Sequence, residues 1–308
     1  MEDTPVPVPA FKNHPLKFVQ VDALVLFKII KHYEEHTADV IGCLLGYAPP
    51  GEEKLQVTHS FPTAYFRPGG EIDEEGQTTE MARDMCFKLR LVNVDSVQTG
   101  HYMTVGLHAF PSLYAVRWIY AIQKERPSVL LVYNPLQAAN GAFAFKAYRL
   151  TEDFMQRFSQ DETGEDIALD AKAMKSAEIF EEIPVKINNS LLVEAFLNSW
   201  TKDIAGPNGV SNFNSLDMES QSNIEKNVQY LGSCLAELGN AHWNLVDHEK
   251  RKGAKGKGKG DERAKDAPSK LQPMVLSNQI TRFCQEINSF SRDSFGRLFL
   301  VGGFQTAE

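Results

Sequence analysis

Histidine is the residue through which this chain would most readily hold a metal or move a proton, and it has eight: His14, His32, His36, His59, His101, His108, His242 and His248. A hydrolytic zinc site asks for three protein ligands and one open position, where a bound water gives its proton to a nearby carboxylate. One pair has suitable spacing. His32-Tyr33-Glu34-Glu35-His36 reads as H-x-x-E-H, with the imidazoles one helical turn apart and Glu35 beside them as the base. That pattern implies a zinc-dependent isopeptidase or protease working through His32, Glu35 and His36. Against it, the motif falls at the end of a predicted helix, next to a Glu-rich turn. Both histidines also lie off the apolar stripe of Leu24, Phe27, Ile30 and Tyr33, which reads as a solvated polar helix end.

Nucleophilic and phosphate chemistry have less support. There is no G-x-S-x-G, and no cysteine stands near a histidine in sequence. Cys43, Cys86, Cys234 and Cys284 are widely separated and form no C-x-x-C. Cys43, Cys234 and Cys284 sit among apolar residues, as free thiols buried in a reducing compartment would. The glycines of 253–260 alternate with lysines, with no strand before them and no helix after, so they form no P-loop. The same stretch holds Lys250, Arg251, Lys252, Lys255, Lys257 and Lys259, six positive charges within ten residues. Such a run can contact RNA phosphates without sequence preference. It also reads as a solvated tether between two helices.

The elements that would position these groups follow from periodicity. Residues 1–15 are acidic and proline-rich, a loose tail with neither the basic nor the apolar region of a signal peptide. Asp22 is a good cap for a helix over 22–36. Strands are predicted at Val40 to Tyr47, Leu55 to Phe61, Met103 to Leu107, Val129 to Tyr133, Ala142 to Leu150 and Ile183 to Ile187. Helices are predicted at 72–91, with Met81, Met85 and Leu89 on one face, and at 112–125. Asn134-Pro135 ends the strand before it.

Beyond residue 188 the pattern changes. Ile224, Val228, Leu231, Leu235, Leu238, His242 and Leu245 recur at spacings 4, 3, 4, 3, 4, 3, a heptad seam. Leu276, Ile280, Phe283, Ile287 and Phe290 repeat it at 4, 3, 4, 3, with Phe295, Leu298, Phe299 and Leu300 extending the apolar surface. The expected organisation is a tail at 1–15, an α/β domain at 16–187, a helical region at 188–249, a disordered basic linker at 250–270 and a final helix at 271–308.

Composition fits this plan. With 308 residues, 43% hydrophobic, 23% charged and 10% aromatic, the chain is an ordinary globular one with enough length for a sizeable core. A net charge of −8 argues against an autonomous nucleic-acid binder. No apolar run approaches the roughly 18 residues of a membrane span.

The order of elements resembles the MPN domain, the fold of the JAMM metalloproteases. The residues that carry the resemblance are Val40 to Tyr47, Leu55 to Phe61, Thr104-Val105-Gly106, Asn134-Pro135 and Lys146-Ala147-Tyr148-Arg149-Leu150-Thr151. LFKIIKHYEE at 26–35, IPVKINNSLL at 183–192 and SNQITRFCQEINSF at 277–290 are similar to the members of that family that serve in eukaryotic translation initiation factor 3. The fold class implied is α/β, an MPN-type mixed sheet flanked by helices and followed by long C-terminal helices for a helical bundle.

Active members of the MPN family carry an upstream Glu and then H-x-H-x7-S-x-x-D after the Val-Gly strand. Here Asp39 stands at the Glu position, one methylene short, and the two His positions fall on Ala109 and Pro111, with His108 alone beside them. The Ser and Asp positions fall on apolar residues of the helix at 112–125. The resemblance therefore implies no metal, no cofactor and no peptidase activity. It implies a cytoplasmic scaffold subunit whose α/β domain pairs with another MPN-type subunit. Its helices would join other subunits, and the complex would engage the 40S particle and mRNA. The interaction residues would be the two seams, from Ile224 to Leu245 and from Leu276 to Phe290. Remaining alternatives are the zinc peptidase, a scaffold in a proteasome-lid-like or signalosome-like complex, and an RNA binder acting through 250–265.

Overall fold

A computed structural model describes residues 15–36, 40–65, 75–104, 113–139, 143–160, 166–168, 179–204, 221–254 and 271–305. In chain order the elements are β1 (Phe18–Asp22), α1 (Ala23–His36), β2 (Val40–Tyr47), β3 (Lys54–Tyr65), α2 (Glu75–Leu91), β4 (Gln98–Thr104), α3 (Leu113–Gln123), β5 (Val129–Tyr133) and α4 (Pro135–Ala139). There follow β6 (Phe145–Leu150), α5 (Glu152–Arg157), β7 (Ser159–Gln160), β8 (Asp166–Ala168), β9 (Phe180–Ile183), β10 (Val185–Asn188), α6 (Leu191–Ile204), α7 (Gln221–Ala254) and α8 (Leu271–Gln305). The chain divides into two compact units, one holding the large sheet with α1 to α6, the other holding α7, α8 and the short β7–β8 pair.

The sheet has eight strands in the order β10-β1-β3-β2-β4-β5-β6-β9. Both of its edges come from one segment. The strand expected at Ile183 to Ile187 is cut at Pro184, which has no N–H for a ladder. Residues before it pair antiparallel with β6, and residues after it pair parallel with β1. The Pro184 carbonyl accepts a bond of 3.0 Å from the Val19 amide, so the sheet curls until its two ends meet.

Alternation along the strands sends two sets of side chains to opposite faces. Leu44, Leu55, Val57, Tyr102, Leu131 and Tyr133 pack with Val25, Leu26 and Ile29 of α1 in the main core. Cys43, Leu45 and Phe61 face the other way, against Ala82, Cys86 and Leu89 of α2. Trp118 of α3 lies on that second face, its ring 5.3 Å from His101. The end of α3 is tied to the sheet by Gln123, whose amide donates to the Leu150 carbonyl at 2.8 Å and accepts from its N–H at 3.1 Å.

Several local readings are corrected here. The buried stripe of α1 is Ala23, Val25, Leu26, Ile29 and His32, while Leu24 and Phe27 face out. The expected stripe is one position out of phase with the buried one, so its first half, Leu24 and Phe27, faces solvent, while Ile30 and Tyr33 still pack partly against the core. On α2 the inward residues are Ala82, Cys86 and Leu89, with Met81 and Met85 exposed. β4 begins at Gln98, five residues before the expected Met103. In its polar-looking start Thr99 and Gly100 are buried while Gln98 and His101 are half-buried; Gly100, at φ 152°, lets β5 approach, since a Cβ there would meet the Val129 carbonyl oxygen. Asn134-Pro135 also starts something, since the Asn134 side chain accepts from the Gln137 amide at 3.4 Å and Pro135 opens the short α4.

The sequence expectation places 188–249 in one helical region. In the structure α6 counts with the sheet, begun by Ser190, whose hydroxyl accepts from the Val193 amide at 3.3 Å. α7 does not stop before the basic run but continues through Lys250, Arg251 and Lys252 to Ala254. Lys and Arg are good helix formers, so charge alone does not end a helix. Lys255, Lys257 and Lys259 lie outside the described residues. Cys284, expected in an apolar setting, is exposed, whereas Cys43 and Cys234 are buried.

Candidate functional site

The place where an MPN-type enzyme would hold zinc is framed by the start of β2 and the end of β4. The two are joined by a buried hydrogen bond of 2.8 Å, in which the Val40 amide donates to Thr104 Oγ1. Asp39, His108, Ala109 and Pro111, on the segments that leave these ends, lie outside the described residues. Their chemistry is nonetheless fixed by residue type: alanine and proline side chains carry no donor atom. Counted from them, the Ser and Asp positions of the motif fall on Ile119 and Ile122 of α3. Ile119 is buried in the core and Ile122 is half-buried. The Thr104 hydroxyl at the end of β4 already accepts from Val40. This donor set does not fit a zinc ion.

His32, Glu35 and His36 do not converge either. His32 is buried, with Nδ1 2.9 Å from the Tyr102 hydroxyl. His36 is exposed, its ring edge-on to His32 at 5.2 Å. Glu35 is turned to solvent and lies 3.5 Å from Lys31. Burial lowers the pKa of His32, as does His36 beside it, while Glu35 acts in the opposite sense. The imidazole is thus a core group anchoring α1 to β4, contrary to the solvated helix end expected. Among the described residues no three of His, Cys, Asp or Glu are grouped to hold an ion.

The long helices present a different kind of site. α7 and α8 pack through Tyr230 and Phe283, whose rings stack at 6.5 Å. Among the described side chains of α7 Cys234 is buried; Leu231, Leu238 and Leu245 are half-buried, and Val228, Leu235 and Trp243 are exposed. On α8 Leu276 and Phe283 are buried, while Ile280 and Ile287 are half-buried. The side chains of Ile224 and Phe290 lie outside the described ones. Past the seam, Phe295 is 71% exposed, Phe299 84% and Leu298 51%. In the other unit, taken by itself, Leu191, Leu192 and Phe196 of α6 and Leu24 and Phe27 of α1 are exposed. The apolar run after the Asn188-Asn189-Ser190 cap signal could have disclosed α6; its exposure could not be read from sequence.

A mixed sheet sandwiched between α1 and the α2–α3 layer, with the motif helix following β4, defines an MPN-domain protein, here with apolar residues at the metal positions. The family described as JAB1/Mov34/MPN/PAD-1 ubiquitin protease matches residues 14–125, and the one described as C-terminal region of eIF3h matches residues 138–258. The chain is 31% identical to eIF3h of Dictyostelium discoideum, a component of eukaryotic translation initiation factor 3, over 316 residues, 96% of this chain and 97% of that protein. It is 28% identical to the eIF3h of Nematostella vectensis, over 96% of this chain and 97% of the relative. The eIF3h of Arabidopsis thaliana is 29% identical, over 93% and 92%. The chain belongs to the eIF3h family of eukaryotic translation initiation factor 3 components. Among the described residues no helix is long and apolar enough to cross a membrane.

Proposed function

We propose that this chain is a non-catalytic scaffold subunit of translation initiation factor 3 that works in the cytoplasm. Its α/β unit pairs with another MPN-type subunit, and its long helices enter a bundle with further subunits. Through the assembled complex it supports the 40S pre-initiation complex and mRNA recruitment. The observation that carries the scaffold reading is the apolar surface left on α7 and α8 after they have packed on each other. Burying a side chain such as Phe295, Leu298 or Phe299 is worth ~1.5–3 kcal/mol, and such a row is the usual mark of an interaction site. The non-catalytic reading rests on Ala109, Pro111, Ile119 and Ile122, which offer a metal no ligand. The seam residues Val228, Leu235, Ile280 and Ile287 are the next candidates for subunit contact. Lys250, Arg251 and Lys252 offer at most weak, salt-sensitive RNA contact.

Replacing Phe295, Leu298 and Phe299 together by Asp tests this in cells. The expected result is a folded chain that no longer co-purifies with the other subunits. Recovery of the full set of subunits with the triple variant would overturn the role given to α8. Stoichiometric zinc or peptide-bond hydrolysis by the purified chain would overturn the non-catalytic reading.

A further inference from the structure

A cavity of about 480 Å³ opens on the face of the sheet covered by α2 and α3. That is within the usual range for small-molecule sites, roughly 300–1,000 Å³. Its floor includes Cys43, Gln98 and His101; α2 contributes Arg83 and Cys86, α3 contributes Trp118 and Ile122, and Arg126 follows the end of α3. Apart from Ile122, which stands at the motif's Asp position, its lining residues are none of the degenerate metal positions.

Its electrostatics are one-sided. Arg83 and Arg126 line it, and among the described residues no carboxylate does, on a chain whose net charge is −8. His101 adds no charge near neutral pH, because burial lowers its pKa from 6.5 to about 4. Gln98 Nε2 lies 3.1 Å from His101 Nε2 and 3.5 Å from Cys43 Sγ, which holds the imidazole as a neutral wall. The field of Arg126 reaches the interior, where it opposes the upward shift that burial imposes on the Cys86 thiol. At the surface Arg126 is 3.3 Å from Glu125 through one nitrogen, an exposed contact that leaves most of the guanidinium fork available. Ile122, at the position where the MPN motif has an acid, removes the negative charge an enzyme would keep on this helix.

We propose that this cavity binds a small organic anion, a carboxylate or phosphate ester, with its charged head on Arg83 and Arg126 and a flat apolar body against Trp118 and Ile122. Guanidinium groups match both heads with paired N–H bonds. The indole and the isoleucine supply apolar area, the Ser96 hydroxyl can donate an orienting hydrogen bond, and the Thr63 and Gln98 oxygens can accept one.

The test uses the full chain and the aromatic sulfonate 8-anilinonaphthalene-1-sulfonate, with neutral N-phenyl-1-naphthylamine as its uncharged counterpart. Because the sulfonate also adheres to exposed apolar helices, the readout is alkylation by iodoacetamide, resolved by peptide mass. Occupancy should slow reaction at half-buried Cys86 and leave exposed Cys284 unaffected. In Arg83→Gln/Arg126→Gln the sulfonate concentration needed for protection should rise about tenfold or more, with thermal stability and binding of the neutral probe unchanged. Ala82→Leu, which narrows the cavity without altering its charge, should weaken both probes. AMP and citrate are then tried as protectants, and whichever protects assigns the head group as phosphate ester or carboxylate. Protection that persists in the double arginine variant overturns the proposal, and so does failure of the sulfonate, AMP and citrate alike to protect Cys86.

Discussion

His101 shows what a single side chain can do in this fold. It sits between Gln98, Cys43 and Trp118, and burial lowers its pKa from 6.5 to about 4. From about pH 7.5 upward folded and unfolded chains both hold it essentially neutral, so it adds no pH dependence there. As pH falls from 6.5 towards 4, the unfolded chain takes up a proton that the folded one refuses, and stability drops, by an amount of order 3 kcal/mol at most. His32, shifted the same way by burial and by His36, adds to the fall. Urea unfolding across this window should therefore give a steeper loss for the natural chain than for His101→Gln; equal slopes would contradict the placement of His101. Little of this was legible beforehand. His32 read as a solvated residue because it lies off the stripe of Leu24, Phe27, Ile30 and Tyr33, at the end of the helix beside a Glu-rich turn. Only the position of Tyr102 on a distant strand explains why it is buried.

At the scale of elements, the α7–α8 contact separates residues that look alike in sequence. Phe283 is buried against Tyr230, and truncating such a ring to alanine costs ~3–5 kcal/mol. Phe299, sixteen positions on in the same helix, is exposed, and Phe299→Ala should stay within about 0.5 kcal/mol. Thermal unfolding of the two variants of the isolated chain should show a clear loss for the first and almost none for the second. Gly100→Ala is expected to be severe as well, since its Cβ meets the Val129 backbone and the strand pair β4–β5 cannot close. A folded Gly100→Ala protein with natural melting behaviour would sink that argument. The heptad spacing identified both helices, because a 3.5-residue repeat needs no tertiary information. It could not choose between Tyr230 and Val228 as the contact, which depends on where the partner helix crosses. β4 was half missed for a related reason: Gln98 to His101 look polar, and only the two faces of a sandwiched sheet make them interior.

For the whole molecule, the segment Phe180–Asn188 matters most. It fills both edges of the sheet, and the Asn188 side chain donates to Asp22 across 166 positions of sequence at 3.0 Å. A strand needs a partner, and β1, made well over a hundred residues before β10, waits for one of its partners until residues near 185 have been added. Pairings of such long range are slow to form, and unpaired edges invite association with other chains in the meantime. The α/β unit is thus a late-closing structure during synthesis. A chain stopped after residue 179 should accumulate as aggregate, and one stopped after residue 204 should be soluble, with light scattering of the two products as the measure. The same timing leaves α7 and α8 to emerge behind a unit that has only just closed, so, on the scaffold role proposed above, capture by partner subunits would follow completion of the sheet and would select against chains in which it has failed.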